Sequence, residues 1–137
     1  MTTSSRYQIR LFEGFKRSYK ALIESHYAEG DAAVAELDSM MAGLFEELRI
    51  QPHHPTARFE PWPGKSHISG WQFFKIRFAL PGLTGAANTG RLMYLVNRDA
   101  MEIYPLIVYT HKQYETRPPE KQLMRIIKDL AKLLRNH

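Results

Sequence analysis

The apolar positions near the start of the chain change from alternation to helical spacing. Tyr7, Ile9 and Leu11 fall on one side of residues 6–12, with polar residues between them. A period of two predicts a half-buried strand. The apolar residues that follow recur every three or four positions and predict a helix over 14–28.

A second helical pattern follows a break at Gly30-Asp31. Apolar residues at intervals of three and four predict a helix over 32–49, and Asp31 is placed to cap it by accepting backbone N–H bonds. The short link predicts that the two helices pack antiparallel as a hairpin.

The second half of the chain reads as strands followed by a helix. Residues 51–70 hold four prolines and two glycines, which predicts a loop. Three alternating or apolar runs then predict strands at 71–80, 91–97 and 102–110. Pro105 lacks a backbone donor, so it should lie at an unpaired or irregular position.

The last element is an amphipathic helix opened by Pro118-Pro119, with an apolar stripe along residues 118–135. The resulting order is β-α-α-β-β-β-α. We therefore expect one α+β domain over residues 1–137, with an antiparallel sheet packed by the N-terminal helical hairpin and the C-terminal helix.

The composition indicates a basic protein and bears on its cellular compartment. The 137 residues carry a net charge of +5, and residues 65–98 contain no acid. The chain has no cysteine, no apolar signal core at its N-terminus and no run long enough to span a membrane. These features favour a cytoplasmic protein with no membrane partner.

The predicted strands bring together a cluster of candidate functional residues. Lys75, Arg77, Arg91 and His111 can converge on one sheet face beside several tyrosines, and Tyr114 follows closely. A cationic face suits a polyanion such as a nucleic-acid backbone. Alternating charge on a strand is equally typical of a solvated face.

No cofactor or metal is expected. His53, His54 and His67 lie on a proline-bounded loop without zinc-ligand spacing, and the chain has no thiolate ligands. No glycine-rich phosphate loop, Ser-His-Asp order or paired acid signature stands out either.

The combination of strands resembles the RelE/ParE superfamily of bacterial toxins. The residues that carry the resemblance are Lys75-Ile76-Arg77, Arg91-Leu92-Met93-Tyr94-Leu95-Val96, Ile107-Val108-Tyr109-Thr110-His111, and the helix start Phe15-Lys16-Arg17-Ser18-Tyr19-Lys20-Ala21-Leu22. The resemblance implies a type II toxin-antitoxin function with a cognate antitoxin as partner. RelE-like members cleave mRNA on the ribosome, with no metal, by attack of the substrate's own 2′-hydroxyl on the adjacent phosphate.

The resemblance also implies roles for five residues. Lys75 matches a basic position that could supply the base, and Arg77 an electrostatic clamp, because a guanidinium stays protonated. Arg91 matches the phosphate-binding arginine. His111 lies where the family places a catalytic Arg or His, and Tyr114 could stack on a base or supply a proton.

Two departures leave other functions open. The stretch His111-Lys112-Gln113 lacks the second arginine common in RelE-like members, and the loop before Arg91 is long. A non-catalytic module that inhibits a protein target such as DNA gyrase, as ParE-like members do, is the alternative. A relative that has lost its toxicity is another.

An antitoxin segment would need an apolar surface on this chain. The candidate surfaces are a groove between the helices and the sheet, or an exposed apolar stripe on helix 118–135.

Overall fold

A computed structural model describes residues 6–28 and 30–135 of the chain. Over these residues the chain forms three α-helices, a short 3₁₀ turn and five strands. The helices are α1 Glu13–His26, α2 Asp31–Ile50 and α3 Glu120–Arg135. The strands are β1 Gln8–Ile9, β2 Arg58–Phe59, β3 Trp71–Ala79, β4 Thr89–Asn97 and β5 Glu102–Thr110. None of the helices in this part of the chain is both long enough and apolar enough to cross a bilayer.

The strands form one mixed sheet in the order β1-β5-β4-β3-β2. β2 to β5 pair antiparallel with their neighbours, whereas β1 lies parallel to β5, with Gln8 opposite Glu102. The expected α+β class is therefore confirmed, but the expectation of a purely antiparallel sheet was wrong. β1 lies at the edge of the sheet beside β5, the last strand, and runs in the same direction. The alternation along 6–12 predicts a strand but gives no information on the direction in which it pairs.

Two of the predicted element boundaries change at the sheet edges. The loop predicted over 51–70 contains β2, which pairs Arg58 with Lys75 and Phe59 with Phe74. The flanking prolines are compatible with this short edge strand, since one side of it needs no ladder donors. β1 is also shorter than the run 6–12, and Leu11 beyond it is exposed.

The helical hairpin covers one face of the sheet. Phe15 of α1 packs against Phe45 of α2 with ring centroids 5.9 Å apart, and the Tyr19 hydroxyl donates to the carboxylate of Asp38. These contacts confirm the antiparallel packing of the two helices. The core beneath them joins buried residues of both helices to one side of β3, β4 and β5, including Leu22, Leu37, Leu48, Phe74, Leu92 and Tyr94.

The helix α3 covers the opposite face. Its stripe of Leu123, Ile127 and Leu130 is fully buried against a core that includes Phe73 and Leu95. The idea that this stripe is exposed for a partner was therefore wrong. The stripe has the spacing of any helical core face, and only the position of the sheet shows what covers it.

Two local predictions have different outcomes. Met93 pairs with Ile107 but Tyr94 pairs with Pro105, so the register shifts beside the proline, as predicted. Asp31 does not cap α2, because Gly30 is the N-cap residue and makes no side-chain cap bond. Asp31 instead occupies the first turn, where a carboxylate complements the helix dipole.

Candidate functional site

The antiparallel register places two of the predicted cations side by side. Arg77 on β3 pairs with Arg91 on β4, and Arg91 pairs in turn with Tyr109 on β5. Directly opposed residues in antiparallel strands project to the same face of the sheet. Arg77, Arg91 and Tyr109 therefore form one row across three strands, on the face that α3 covers.

Lys75 and His111 lie on either side of this row. Lys75 precedes Arg77 by two residues, and His111 follows Tyr109 by two residues, so alternation directs both to the same face. The N–H of His111 donates to the carbonyl of Thr89 at 3.0 Å, which extends the β4–β5 ladder by one residue pair. Successive rows on one face are about 7 Å apart along a strand, close enough for side chains of adjacent rows to meet.

The hydroxyl of Tyr109 lies among four charged side chains. The pKa of Tyr109 is raised to about 12, chiefly because burial disfavours the phenolate. Arg91, Arg117 and Arg77 oppose this rise, whereas the carboxylate of Glu60 adds to it. All four charges therefore influence the pKa of Tyr109, whose hydroxyl donates to the carbonyl of Thr116 at 3.2 Å.

Arg91 is buried and bound to its own chain. It is 6% exposed, and its Nη1 donates to the carbonyl of Glu115 at 3.0 Å, with the carbonyls of Tyr114 and Thr116 at 3.4 and 3.5 Å. A buried guanidinium needs such acceptors to offset its desolvation. Arg91 thus holds the 114–117 segment over the sheet and does not project freely toward solvent.

Lys75 is part of an ion-pair cluster that the sequence did not predict. Its Nζ lies 3.5 Å from Oε1 of Glu60, whose side chain is 8% exposed. The other carboxylate oxygen of Glu60 accepts from Arg117 at 3.1 Å. Arg117 also donates to the carbonyl of Pro61 at 2.7 Å and to Glu120 at 3.1 Å. The positive charge of Lys75 is therefore largely compensated.

Arg77 and His111 remain as the accessible members of the predicted set. Arg77 is exposed, and no salt bridge found over residues 6–28 and 30–135 includes it. His111 is half-buried, and its Nδ1 is a buried nitrogen with no hydrogen-bond partner, as is Nε of Arg91. The face thus presents a solvent-facing guanidinium, a second guanidinium behind it and an imidazole in the next row.

Tyr114 faces another part of the molecule. Its ring packs edge-on against Tyr109 at 5.6 Å, and its hydroxyl lies 3.4 Å from Oε1 of Gln122 on α3. The side chain lines a cleft between α1 and α3. Only its backbone carbonyl contributes to the surroundings of Arg91.

The loop histidines are engaged in packing and local bonds. His53 packs on Phe59 and Phe74, His67 packs on Trp62, and Nε2 of His54 lies 2.8 Å from Glu47. Among the residues that the structure describes, no group of three or more His, Cys, Asp or Glu is arranged to hold a metal ion.

Two residues beside this site, Glu60 and Arg117, were not predicted from the sequence. Glu60 is the sole acid between Leu48 and Arg98, and Arg117 directly precedes the Pro118-Pro119 pair. An isolated acid beside a long basic stretch is a signal that could have marked Glu60 as an ion-pair partner. The sequence around Arg117 gave no comparable sign of its role, because its partners Glu60 and Pro61 lie 57 and 56 residues earlier in the chain.

Comparison with known proteins gives no family assignment. No protein-family model matches the chain, and no curated protein matches it.

Proposed function

We propose that this chain is a type II toxin of the RelE/ParE kind that cleaves mRNA, with Arg77 and His111 at its reactive centre. The observation that carries the proposal is the register, in which Arg77–Arg91 and His111 occupy adjacent rows of one face. Cleavage by the substrate's own 2′-hydroxyl needs charge stabilisation at phosphorus and proton transfer at two oxygens. Arg77 supplies a cation for the first need, and His111 supplies an imidazole for proton transfer to the 5′-oxygen.

In the proposed reaction the substrate 2′-oxygen bonds to phosphorus and the bond from phosphorus to the 5′-oxygen breaks. Arg77 binds the phosphoryl oxygens from the solvent side, as a guanidinium forms paired hydrogen bonds to phosphate. His111 donates a proton to the departing 5′-oxygen, while the 2′-hydroxyl proton passes to water. The products are a 2′,3′-cyclic phosphate and a 5′-hydroxyl.

The other predicted residues have supporting roles in this proposal. Arg91 contributes positive charge from beside Arg77 and positions residues 114–116. Lys75 acts as part of the Glu60 ion-pair cluster and not as the base, since its ammonium group is held by a carboxylate.

The cleavage test compares single variants with matched controls. We expect His111→Gln and Arg77→Ala each to slow cleavage of ribosome-bound mRNA by about 100-fold or more, the usual contribution of an acid–base or oxyanion-stabilising group. His67→Gln and Arg98→Ala remove the same residue types from exposed positions, the second in the turn after β4, and should leave the rate unchanged. Cleavage sites are read by primer extension on a defined message.

Two results would reject the nuclease proposal. One is unchanged cleavage in the His111→Gln variant. The other is arrest of growth by the wild-type chain with intact messages.

A non-catalytic toxin is the second candidate, and the compensated charges favour it. Lys75 is paired with Glu60 and Arg91 is occupied by carbonyls, so fewer free cations face solvent than the sequence predicted. A module of this kind would inhibit a protein target such as DNA gyrase by contact alone. Inhibition of supercoiling by purified chain, unchanged in His111→Gln, would select it over the nuclease. Harmless expression without any antitoxin would instead indicate a relative that has lost its toxicity.

A cognate antitoxin is the proposed partner of either toxin. An apolar groove of about 370 Å³ lies on the surface between α1 and α2, and its lining includes Phe15, Ile23 and Phe45. Lys16, Lys20 and Asp38 also border the groove, so its charged rim carries two cations and one carboxylate. An amphipathic antitoxin segment with apolar and acidic residues suits this combination.

A further inference from the structure

The outer surface of α3 carries a regular row of cations. The members are Lys121, Arg125, Lys128, Lys132 and Arg135, all exposed and spaced by four, three, four and three residues. Residues at these intervals share one helix face, and the row extends about 21 Å along the axis. Asp129 interrupts the row, yet no salt bridge within the described residues involves any of the five cations.

A cleft of about 520 Å³ opens beside this row, between α1, α3 and the end of β5. Arg125 lines it from α3, and Arg17 lines it from α1. No salt bridge within the residues described includes either guanidinium, and Asp129 also lines the cleft. The cleft therefore brings two cations from separate helices to one hollow.

The cleft exists because β1 is short. β1 pairs only with Glu102 and Ile103, so the outer edge of β5 beyond them faces α1 and not another strand. The N–H of Val108 on this edge donates to Oγ of Ser18 at 3.0 Å. The helix thus satisfies the strand edge at one point and leaves space between itself and α3.

The remaining lining can contact a nucleobase. Tyr114, Gln113 and Gln122 line the same cleft. The Oε1 atoms of the two amides already accept from Thr110 N–H and lie near the Tyr114 hydroxyl, respectively, so their NH₂ groups are the donors left for a base. Aromatic rings stack on unpaired bases, and amide groups hydrogen-bond to base edges. A row of cations next to such a cleft combines phosphate contacts with a place for an unstacked base.

We propose that the α3 row and the α1–α3 cleft form a second RNA-binding surface, which holds a structured RNA with an unpaired nucleotide in the cleft. Arg77 and His111 do not line this cleft, although Tyr109 of their sheet face does. The assignment of the surface to RNA, and not to another polyanion, rests on the proposed function. The surface would hold the ribosomal or messenger RNA while another part of the strand is cleaved.

The burial of α3 argues against a lipid surface as the ligand. Interfacial helices insert an apolar face below their cationic face. In this chain Leu123, Ile127 and Leu130 of the apolar face are buried by the sheet and Leu133 is 49% exposed, so little of that face is available to insert into a bilayer.

The row is tested with a labelled RNA hairpin and fluorescence anisotropy at several salt concentrations. The variant Lys128→Gln/Lys132→Gln should bind roughly tenfold or more weakly at about 0.1 M salt, and its salt slope should fall by about 2. The control Lys65→Gln/Arg98→Gln removes the same charge from exposed positions elsewhere and should bind like wild type. Glutamine retains nearly the same helix propensity as lysine, so folding should be preserved.

The role of the cleft is tested with the variant Arg17→Gln. Arg17 is exposed, so the substitution should leave the fold intact. This variant should weaken binding of a hairpin with an unpaired loop severalfold more than binding of a blunt duplex with the same stem. An equal effect on the two RNAs would overturn the nucleotide site in the cleft.

Three further outcomes would overturn the surface proposal. The first is an equal loss of RNA binding in the row variant and the control variant. The second is binding of phosphatidylserine vesicles as tight as that of RNA. The third is competition by polyglutamate as strong as that by RNA, a result that would indicate an acidic protein partner. RNA binding is read without cleavage, so this test is independent of the nuclease. Loss of binding in the row variant with no cleavage by any form of the chain would reject the nuclease and retain the surface.

Discussion

Glu60 compensates two positive charges beside the candidate site, those of Lys75 and Arg117. Its carboxylate is 8% exposed and lies within 3.5 Å of Lys75 and 3.1 Å of Arg117. A buried carboxylate between two cations holds together three segments that are far apart in sequence. Without it, two positive charges would lie close together in a poorly solvated site.

We therefore expect Glu60→Gln to lower the free energy of unfolding by about 3 kcal/mol, the usual cost of removing one partner of a buried ion pair. Urea denaturation followed by circular dichroism measures the change. Glu46→Gln is the matched control, because Glu46 pairs with Arg49 on the surface with its side chain 52% exposed. Its effect should stay within about 1 kcal/mol.

A double variant separates charge from packing. Glu60→Gln/Lys75→Met removes one of the two unpaired cations, so part of the lost stability should return. If Glu60→Gln lowers the free energy of unfolding no more than Glu46→Gln does, the ion-pair cluster does not stabilise the fold.

Helix α1 closes the open edge of the sheet at two points. Ser18 accepts from the N–H of Val108, and Nε2 of His26 lies 3.3 Å from Oγ1 of Thr110. Burial lowers the pKa of His26, and the nearby charge of Lys112 lowers it further. His26 is therefore favoured in its neutral form while the helix lies on β5.

This depressed pKa makes stability depend on pH. The folded state binds the His26 proton less well than the unfolded chain does, so its contribution is complete above the ordinary value of 6.5. The contribution should be lost as the pH falls from 6.5 through the folded-state pKa. We expect an NMR titration of His26 with a midpoint below 6.5, and a smaller loss of stability between pH 7 and 5 in His26→Gln than in wild type.

Lys112→Gln gives the second readout. The midpoint should move up toward 6.5 but stay below it, because burial is the larger cause. Lys65→Gln, on a distant loop, should leave the midpoint in place. A wild-type midpoint at or above 6.5 would contradict the assignment.

The two faces of the sheet are covered by different helices, and this leaves the hairpin with an uncovered apolar groove. α3 buries its stripe against one face, while α1 and α2 bury theirs against the other. The groove on the outer side of α1 and α2 includes Leu11, which is 46% exposed. An acidic amphipathic antitoxin segment is the proposed occupant.

We expect Leu11→Asp to weaken binding of the antitoxin product of the adjacent gene by about tenfold or more, because a carboxylate in the groove opposes burial of apolar side chains. Ile50→Asp is the control, since Ile50 is 64% exposed at the end of α2 and does not line the groove. Isothermal titration measures both. Equal losses in the two variants would place the antitoxin elsewhere.

Much of the secondary structure follows from local pattern. The strand predicted over 102–110 agrees with β5 at both ends, and the helix predicted over 32–49 differs from α2 by one residue at each end. The irregular pairing at Pro105 was also predictable, because the missing donor is a property of one residue. Periodicity and proline chemistry act over a few neighbouring residues, so a single sequence reveals them.

The candidate site was predictable in part. Alternation placed Lys75 and Arg77 on one face, and the structure adds Arg91 beside Arg77 through the pairing of β3 with β4. The compensation of Lys75 by Glu60 and of Arg91 by residues 114–116 was not predictable. Both depend on loops that cross the sheet, and no local pattern specifies where such loops lie.

The order of the helices and strands apart from β2, the basic character of one strand face and the irregularity at Pro105 were settled by the sequence alone, since each depends on residue type and spacing within a short segment. The parallel pairing of β1 with β5, the burial of α3 and the partners of the cations were settled only by tertiary structure. These features depend on contacts between residues many positions apart. Such contacts form where the whole set of apolar faces can be buried together, and that is a property of the complete fold.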